Sequence, residues 1–385
     1  MDVKQFIKKY TMVIALVVVF VFFAILTEGR LLNAQNVSNL LLQNAYVLIM
    51  ACGMLLCILT GGNVDLSVGS SLCLSAALSA RMLQAGHSAI TAILVSMVVG
   101  IVIGVFQGYL IGYVHIPPFI CTLAGMFLYR GIARVVLDSK TISVSNEGFL
   151  NLFTSYISFS GIDQRKHYVS ALIIGIAVAV IVAVITILRR IKQQKEGYKV
   201  GSAVATYAKL VVIDALIIAY SYKLMQYKGI PVMLIWILAI VLIFSFLTSS
   251  TVFGRYFYAV GGNEKATKLS GIDPRRVYFV AYFLMSVLAA FSGLLMVSRI
   301  GSVDGNMGNS YEMDAIASCF IGGASAYGGS GTVPGIMIGA ILLGVINQGM
   351  SIYGLSDMWQ YVVKGAVLLI AVVFDVVSNH KTGKS

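Results

Sequence analysis

From Thr11 almost to its C-terminus the chain alternates long apolar runs with short polar breaks. The runs are continuous rather than alternating, so they read as helices and not as barrel strands. A helix crosses the hydrocarbon core of a bilayer with about 20 apolar residues. Only a helix or a closed barrel can satisfy its own backbone there. Helices are predicted over residues 11–27, 37–60, 66–83, 89–114, 119–137, 168–188, 210–225, 232–247, 277–300, 332–353 and 359–377. A short broken or re-entrant segment is expected at 315–327. The fold class is therefore all-α, a polytopic transmembrane bundle of about 10–12 spans in two pseudo-repeated halves.

Composition agrees with this. Of 385 residues, 59% are hydrophobic and 11% charged, against roughly 25% charged in a soluble domain. No polar block is long enough to fold separately, so residues 1–385 read as a single transmembrane domain. The first run follows Lys4, Lys8 and Lys9, as in a signal peptide. It leads into Glu28, Gly29 and Arg30 rather than a small-residue cleavage site, and reads as an uncleaved span. Cys52, Cys57, Cys73, Cys121 and Cys319 lie in apolar stretches without metal spacing and read as small buried hydrophobes.

The net charge of +12 reflects cytoplasmic loops rather than nucleic-acid binding, because Lys and Arg collect on that side of a membrane. A basic loop at 189–209 carries Arg189, Arg190, Lys192, Lys195, Lys199 and Lys209 against Glu196. Residues 251–276 carry Arg255, Lys265, Lys268, Arg275 and Arg276. Residues 301–314 carry Asp304, Glu312 and Asp314 without a base, which suits the outside. The N-terminal lysines, and Lys381 and Lys384 in the tail, place both termini in the cytoplasm. An even number of crossings, counting the broken segment, agrees. Residues 139–166 would form the longest external loop.

Gly100, Gly104, Gly108 and Gly112 recur every fourth residue. On a helix they share one face and admit a neighbouring backbone; Gly335, Gly339 and Gly344 do the same later. A glycine pair opens GGNVDLSVGS at Gly61, and another opens GGASAYGGSGTVPG at Gly322. Paired interruptions of this kind are either tight turns or the broken helices of a transport pathway. Asp65 is either a carboxylate at membrane depth, which is costly and usually functional, or an N-cap on the following helix. The second glycine-rich stretch lacks the GK[ST] ending of a phosphate loop, and the terminal TGKS lacks the upstream glycine and a following helix. Residues 263–269, between Gly262 and Gly271, are good helix material. They would lie on the membrane surface, dock into a partner's groove or serve as a solvated connector. His87, His115, His167 and His380 are scattered, and neither a zinc-protease pair nor a GxSxG elbow occurs.

The strings VDLSVGS, IPPFICTLAGMFLYRG, FGRYFYAVGGNEKATKLSGI and EMDAIASCFIGGASAYGGSGTVPGIMIGAILLGVINQGM occur in this order. Together they resemble the permease subunit of ribose/xylose/galactose-type ABC sugar importers, from about residue 36 to residue 375. The longer central part, 188–229, with YKGIP at 227–231, is most similar to the multiple-monosaccharide permeases of the xylose type. The resemblance implies a homodimer in the bacterial cytoplasmic membrane, a cytoplasmic ATPase with tandem nucleotide-binding halves and an extracytoplasmic sugar-binding protein. It implies no cofactor and no catalysis by this chain. By similarity, Gly261, Gly262, Asn263, Ala266, Leu269, Ser270 and Gly271 would lie in the ATPase-coupling loop. The pathway candidates are Asn63, Asp65, Ser67, Ser70 and Asn306, with Glu312 and Asp314 at an outer gate or at the face that meets the binding protein. The alternatives are an ion-coupled secondary transporter and an ABC permease for nucleosides or another small polar solute.

Overall fold

The computed structural model describes residues 3–159, 163, 167–198 and 202–380, with side chains from Thr11 to Val373. Lys199, Lys381 and Lys384 lie outside the described residues. The helices, in chain order, are α1 Val3–Leu26, α2 Ala34–Gln43, α3 Ala45–Leu59, α4 Val68–Gln84, α5 Ala89–Gly112, α6 Pro118–Leu137, α7 Glu147–Thr154 and α8 Val169–Lys195. They continue as α9 Ala203–Met225, α10 Val232–Ser250, α11 Val252–Gly262, α12 Glu264–Leu269, α13 Pro274–Ile300, α14 Tyr311–Ile321, α15 Val333–Tyr353 and α16 Asp357–His380. Four two-residue strands, β1 Ile142–Ser143, β2 Tyr156–Ile157, β3 Ile230–Pro231 and β4 Ser302–Val303, form two short antiparallel pairs, β1 with β4 and β2 with β3.

Among the described residues, 8 helices are long and apolar enough to cross a membrane, counting α2 and α3 as one span. The molecule is thus an all-α polytopic bundle. α14 has 11 residues, so it reaches only about 16 Å, half the hydrocarbon thickness of about 30 Å. The glycine-rich stretch that follows it is therefore a true interruption.

The contacts divide into two compact units: Met1–Glu28, Leu40–Thr154 and Met233–Ser385 form one, and Gly29–Asn39 with Ser155–Val232 form the other. The first is built around α13. The four-residue glycine series of α5 lies against it: a Cβ at Gly104, Gly108 or Gly112 would come within 2.8, 2.7 and 2.6 Å of the carbonyls of Phe283, Phe279 and Arg275. A Cβ at Gly100 would meet the Ala290 methyl at 2.5 Å and the Ser286 carbonyl at 3.1 Å. The partner numbers fall as the glycine numbers rise, so α5 and α13 run antiparallel. α3 is buried along its whole length and runs parallel to α14. Tyr46 bonds Asp314, and the Cys319 thiol reaches the Ala51 carbonyl, both pairs 268 residues apart. Gly335 and Gly339 of α15 seat against the carbonyls of Gly322 and Ser318.

The second unit pairs α8 with α9, joined at one end by Arg190 donating to Thr206 Oγ1 at 2.8 Å and at the other by the β2–β3 ladder. The stretch read as a basic loop over 189–209 is helical up to Lys195 and again from Ala203. Long basic side chains can continue a helix past the membrane boundary while their heads reach water. The expected external loop at 139–166 likewise contains α7. Phe149 and Phe153, one turn apart, are fully buried beside Trp236 and Phe291. An eight-residue helix is too short for a periodicity window to find.

Within the first unit, segments expected on one side of the membrane meet one another. Residues 59–62, 261–262 and 326–331 converge at one end. At the other, β1 pairs with β4 and Arg81 Nε donates to the Val136 carbonyl at 2.6 Å.

Candidate functional site

Both glycine-rich helix breaks close on the segment after α10. Thr251 caps α11, accepting from Gly254 N at 2.8 Å, and Asn263 caps α12, accepting from Ala266 N at 2.9 Å. These local bonds make two short helices of the stretch 251–269, because each cap satisfies an amide that the helix start leaves open. Thr267 Oγ1 lies 2.8 Å from the Ala259 carbonyl, tying α12 back to α11. Gly271 turns the chain at φ 82°, and Asp273 caps α13, accepting from Arg275 N at 3.1 Å.

The seat beneath α11 is made of backbone. A Cβ at Gly261 would stand 1.8 Å from the Leu59 carbonyl and 2.6 Å from Gly329 N. Gly62, at φ 77°, would meet the Ala326 carbonyl at 1.9 Å, and Gly328 would meet Gly61 Cα at 2.5 Å. Gly329 N donates to the Leu59 carbonyl at 3.0 Å. Tyr278 joins the parts: its hydroxyl lies 2.9 Å from the Thr60 carbonyl and 3.1 Å from Glu264 Oε2. One hydroxyl proton serves either partner but not both at once. Gly262 itself faces open space, and Leu269 is 90% exposed. The expected coupling residues thus divide. Gly261 is a packing contact, Asn263 and Ala266 form the cap, Ser270 and Gly271 end α12, and Gly262 and Leu269 present a free surface.

The pathway candidates also divide. Asp65, Ser67 and Ser70 are fully buried. Asp65 does not cap the next helix, which begins at Val68 with Ser67 at its N-cap position. Its Oδ1 instead accepts from Ser67 N at 2.8 Å and Ser67 Oγ at 2.6 Å, a turn bond within the break. The glycine pair unwinds more chain than expected, so the carboxylate closes the loop before the helix starts. Gln107 lies 3.0 Å from Ser67 Oγ and 3.4 Å from the Tyr129 hydroxyl. The single Ser67 hydroxyl proton serves Asp65 Oδ1 or Gln107 Oε1 but not both at once. Among the described residues, Asp65 Oδ2 and the Ser70 hydroxyl have no partner. Asn63 donates to the Thr60 carbonyl at 3.3 Å.

Asn306 belongs to another cluster. Its Oδ1 accepts from Arg134 at 3.2 Å, while Arg130 donates to the carbonyls of Gly305 and Met307. The two arginines, one helical turn apart on α6, hold the 304–309 loop against α4, where Gly308 and Gly69 touch backbone to backbone. The expected external loop at 301–314 therefore dips between α4 and α6. Glu312 lies buried beside Gly69. Asp314, 2% exposed, accepts from Tyr46 at 2.6 Å and pairs with Lys364 of α16 at 3.1 Å. Tyr311 stacks on Tyr46 with centroids 3.7 Å apart.

Sequence reasoning missed Gln107, Tyr129, Arg130, Arg134, Tyr46 and Lys364. A signal existed for three of them: Arg130, Arg134 and Lys364 are charges inside apolar runs, where a charge is costly unless used. Three cavities adjoin this region. One of about 380 Å³ lies under the 302–311 loop, one of about 170 Å³ between Arg134 and Glu312, and one of about 200 Å³ beside Asp314 and Lys364. Among the described residues, no three His, Cys, Asp or Glu side chains gather as metal ligands.

A family model described as branched-chain amino acid transport system / permease component matches residues 36–190 and 162–372. The chain is 33% identical to the xylose transport system permease protein XylH of Haemophilus influenzae over 373 residues, covering 97% of this chain and 96% of the relative. It is equally similar, at 33%, to XylH of Escherichia coli, covering 97% of this chain and 93% of that protein. The ribose import permease protein RbsC of Bacillus subtilis is 36% identical, over 89% of this chain and 85% of its own. No solved structure matches.

Proposed function

Because this chain belongs to the branched-chain amino acid transport system / permease component family, as a sugar-type ABC permease akin to the xylose and ribose permeases, we propose that it forms the route by which a pentose or hexose crosses the cytoplasmic membrane. It works with a second copy of itself, a separate cytoplasmic ATPase and an extracytoplasmic sugar-binding protein. Similarity to xylose and ribose permeases along most of the chain supports the cargo class.

One observation carries the mechanism: the breaks after α3 and α14 both rest on the α11–α12 segment through glycine backbone. Closing of the ATPase would press on the exposed Gly262–Leu269 surface. α11 has no side chain at Gly261 to absorb the push, so displacement would pass directly to the ends of α3 and α14. Tyr278 would change partner between Thr60 and Glu264 as α12 moves. A nucleotide shifts this equilibrium only through different contacts with the two states, and the exposed face of α12 is where such contacts would be made. Asp65 and Ser67 would act as the pivot of the first break, and Asn306 and Glu312 would stand nearer the cargo. By the positive-inside rule, the end bearing Arg275, Arg276 and Lys268 faces the cytoplasm, as do both termini.

The test is uptake of labelled D-xylose and D-ribose into proteoliposomes holding the permease, its ATPase and its binding protein. Uptake should require ATP and survive an uncoupler. Uptake that collapses with the uncoupler at constant ATP would instead make the chain an ion-coupled transporter.

A further inference from the structure

The cavity of about 380 Å³ is the only one of the three described that falls in the range of small-molecule sites, roughly 300–1,000 Å³. Its wall includes Thr141, Ser302, Asp304, Asn309, Tyr311 and Tyr361. These residues hold unspent hydrogen-bonding capacity. Asp304 uses Oδ1 to accept from Asn306 N at 3.0 Å, leaving Oδ2 without a hydrogen-bond partner among the described residues. Among the described residues, the side chains of Thr141, Ser302, Asn309, Tyr311 and Tyr361 take no intramolecular hydrogen bond. The site is also built rigidly. β1 and β4 pair across Ile142–Val303 and Ser143–Ser302, so that Thr141 and Asp304 flank the same end of the ladder. Tyr311 is clamped by its stack on Tyr46. Arg130 and Arg134 anchor the loop that carries Asp304 and Asn309.

We propose that this cavity is a saccharide-binding vestibule within the permease, with Tyr311 and Tyr361 as platforms for the sugar's C–H face and Asp304 and Asn309 as acceptor and donor for adjacent hydroxyls. The proposal rests on the reading of the chain as a monosaccharide permease. Carboxylates and amides pair with neighbouring hydroxyls because they present two polar atoms side by side. Aromatic rings present a flat apolar face with a polar edge. A neutral polyol uses all of these groups. A free amino acid fits less well: among the described lining residues none is cationic, so its carboxylate would have hydroxyl and amide donors but no counter-ion. The vestibule would hold a sugar released at the membrane surface until the pathway opens, so specificity would not lie wholly in the binding protein.

The full chain, assembled with its ATPase in nanodiscs and without binding protein, is mixed with D-xylose, D-ribose or L-leucine and read by saturation-transfer NMR. Transfer to the ring protons of the transported sugar is expected, with none to leucine. Asn309→Ala and Tyr361→Ala should abolish it and raise the half-saturating sugar concentration for uptake about tenfold, the loss of one or two net hydrogen bonds or a ring contact. Tyr361→Phe, which keeps the ring, should retain the signal. Equal transfer in the alanine variants, or transfer to leucine, would overturn the site. Loss of binding-protein capture by those variants with transfer intact would make the surface a docking face instead. If the complete importer takes up sugar while the parent permease gives no transfer, the site falls and the function stands. If it takes up neither xylose nor ribose, the function falls first.

Discussion

At the scale of single residues, the structure ties the buried Asp314 to partners that sequence proximity does not suggest. Asp314 is buried, and its Oδ2 receives both Tyr46 and Lys364. Removing one partner of a buried ion pair leaves an uncompensated charge and costs about 3–5 kcal/mol, whereas removing both is far milder. Lys364→Met should therefore destabilise the detergent-solubilised protein by about 3 kcal/mol, reduced somewhat because Lys364 is partly exposed. Adding Asp314→Asn should restore much of that loss, since the amide oxygen still accepts from Tyr46. Thermal denaturation of the single and double variants checks this; an additive double variant would show that the pair is not coupled. The glycines allow an equally sharp contrast. Gly261→Ala places a methyl 1.8 Å from the Leu59 carbonyl, whereas Gly262→Ala meets nothing within 4 Å. The first should fail to assemble or melt well below the parent, and the second should melt with it. Indistinguishable melting curves would remove the backbone seat from the account.

At the scale of elements, the segment between α10 and α13 shows how sequence becomes mechanism. Asn263 and Gly271 bracket α12 in the sequence, and the structure places the helix between them. Its apolar tip, Leu269, is not buried by its own chain. A large apolar side chain exposed among charges suits docking in a partner's groove. Leu269→Asp should leave folding and membrane insertion intact yet abolish ATP-driven uptake; normal uptake with this variant would exclude α12 from coupling. The broken helices were legible from the paired glycines. The contact between the breaks was not, because glycine spacing says where a helix ends and nothing of which distant backbone lies against it. The turn at Asp65 had a similar limit. The carboxylate was visible as an anomaly, but its choice of Ser67 over the helix amides depended on how far the glycine pair unwound the chain.

At the scale of the whole molecule, the charge pattern would put the basic stretch at 189–209 in the cytoplasm and residues 139–166 outside. Lys195→Cys should accordingly react with a membrane-impermeant maleimide only from the cytoplasm, and Lys140→Cys only from outside. The reverse pattern would invert the topology. The purified chain alone should hydrolyse no ATP, its energy coming from another subunit; robust hydrolysis by it would end the importer reading.

Local spacing and composition determined the all-helical, multi-pass character, the glycine face of α5 and the short helix α12. Each of these is written in spacings of a few residues, over which one helical turn repeats. Of the three glycines grouped on α15, by contrast, Gly344 meets the Asn44 side chain instead of a backbone. Three features were decided only by the folded chain: the seating of both helix breaks on α11, the clamp of Arg130 and Arg134 on the 304–309 loop, and the pairing of Asp314 with Tyr46 and Lys364. Their partners lie tens to hundreds of residues apart in the sequence. Close packing selects such partners by the shape and charge of surfaces that do not exist until the helices have met.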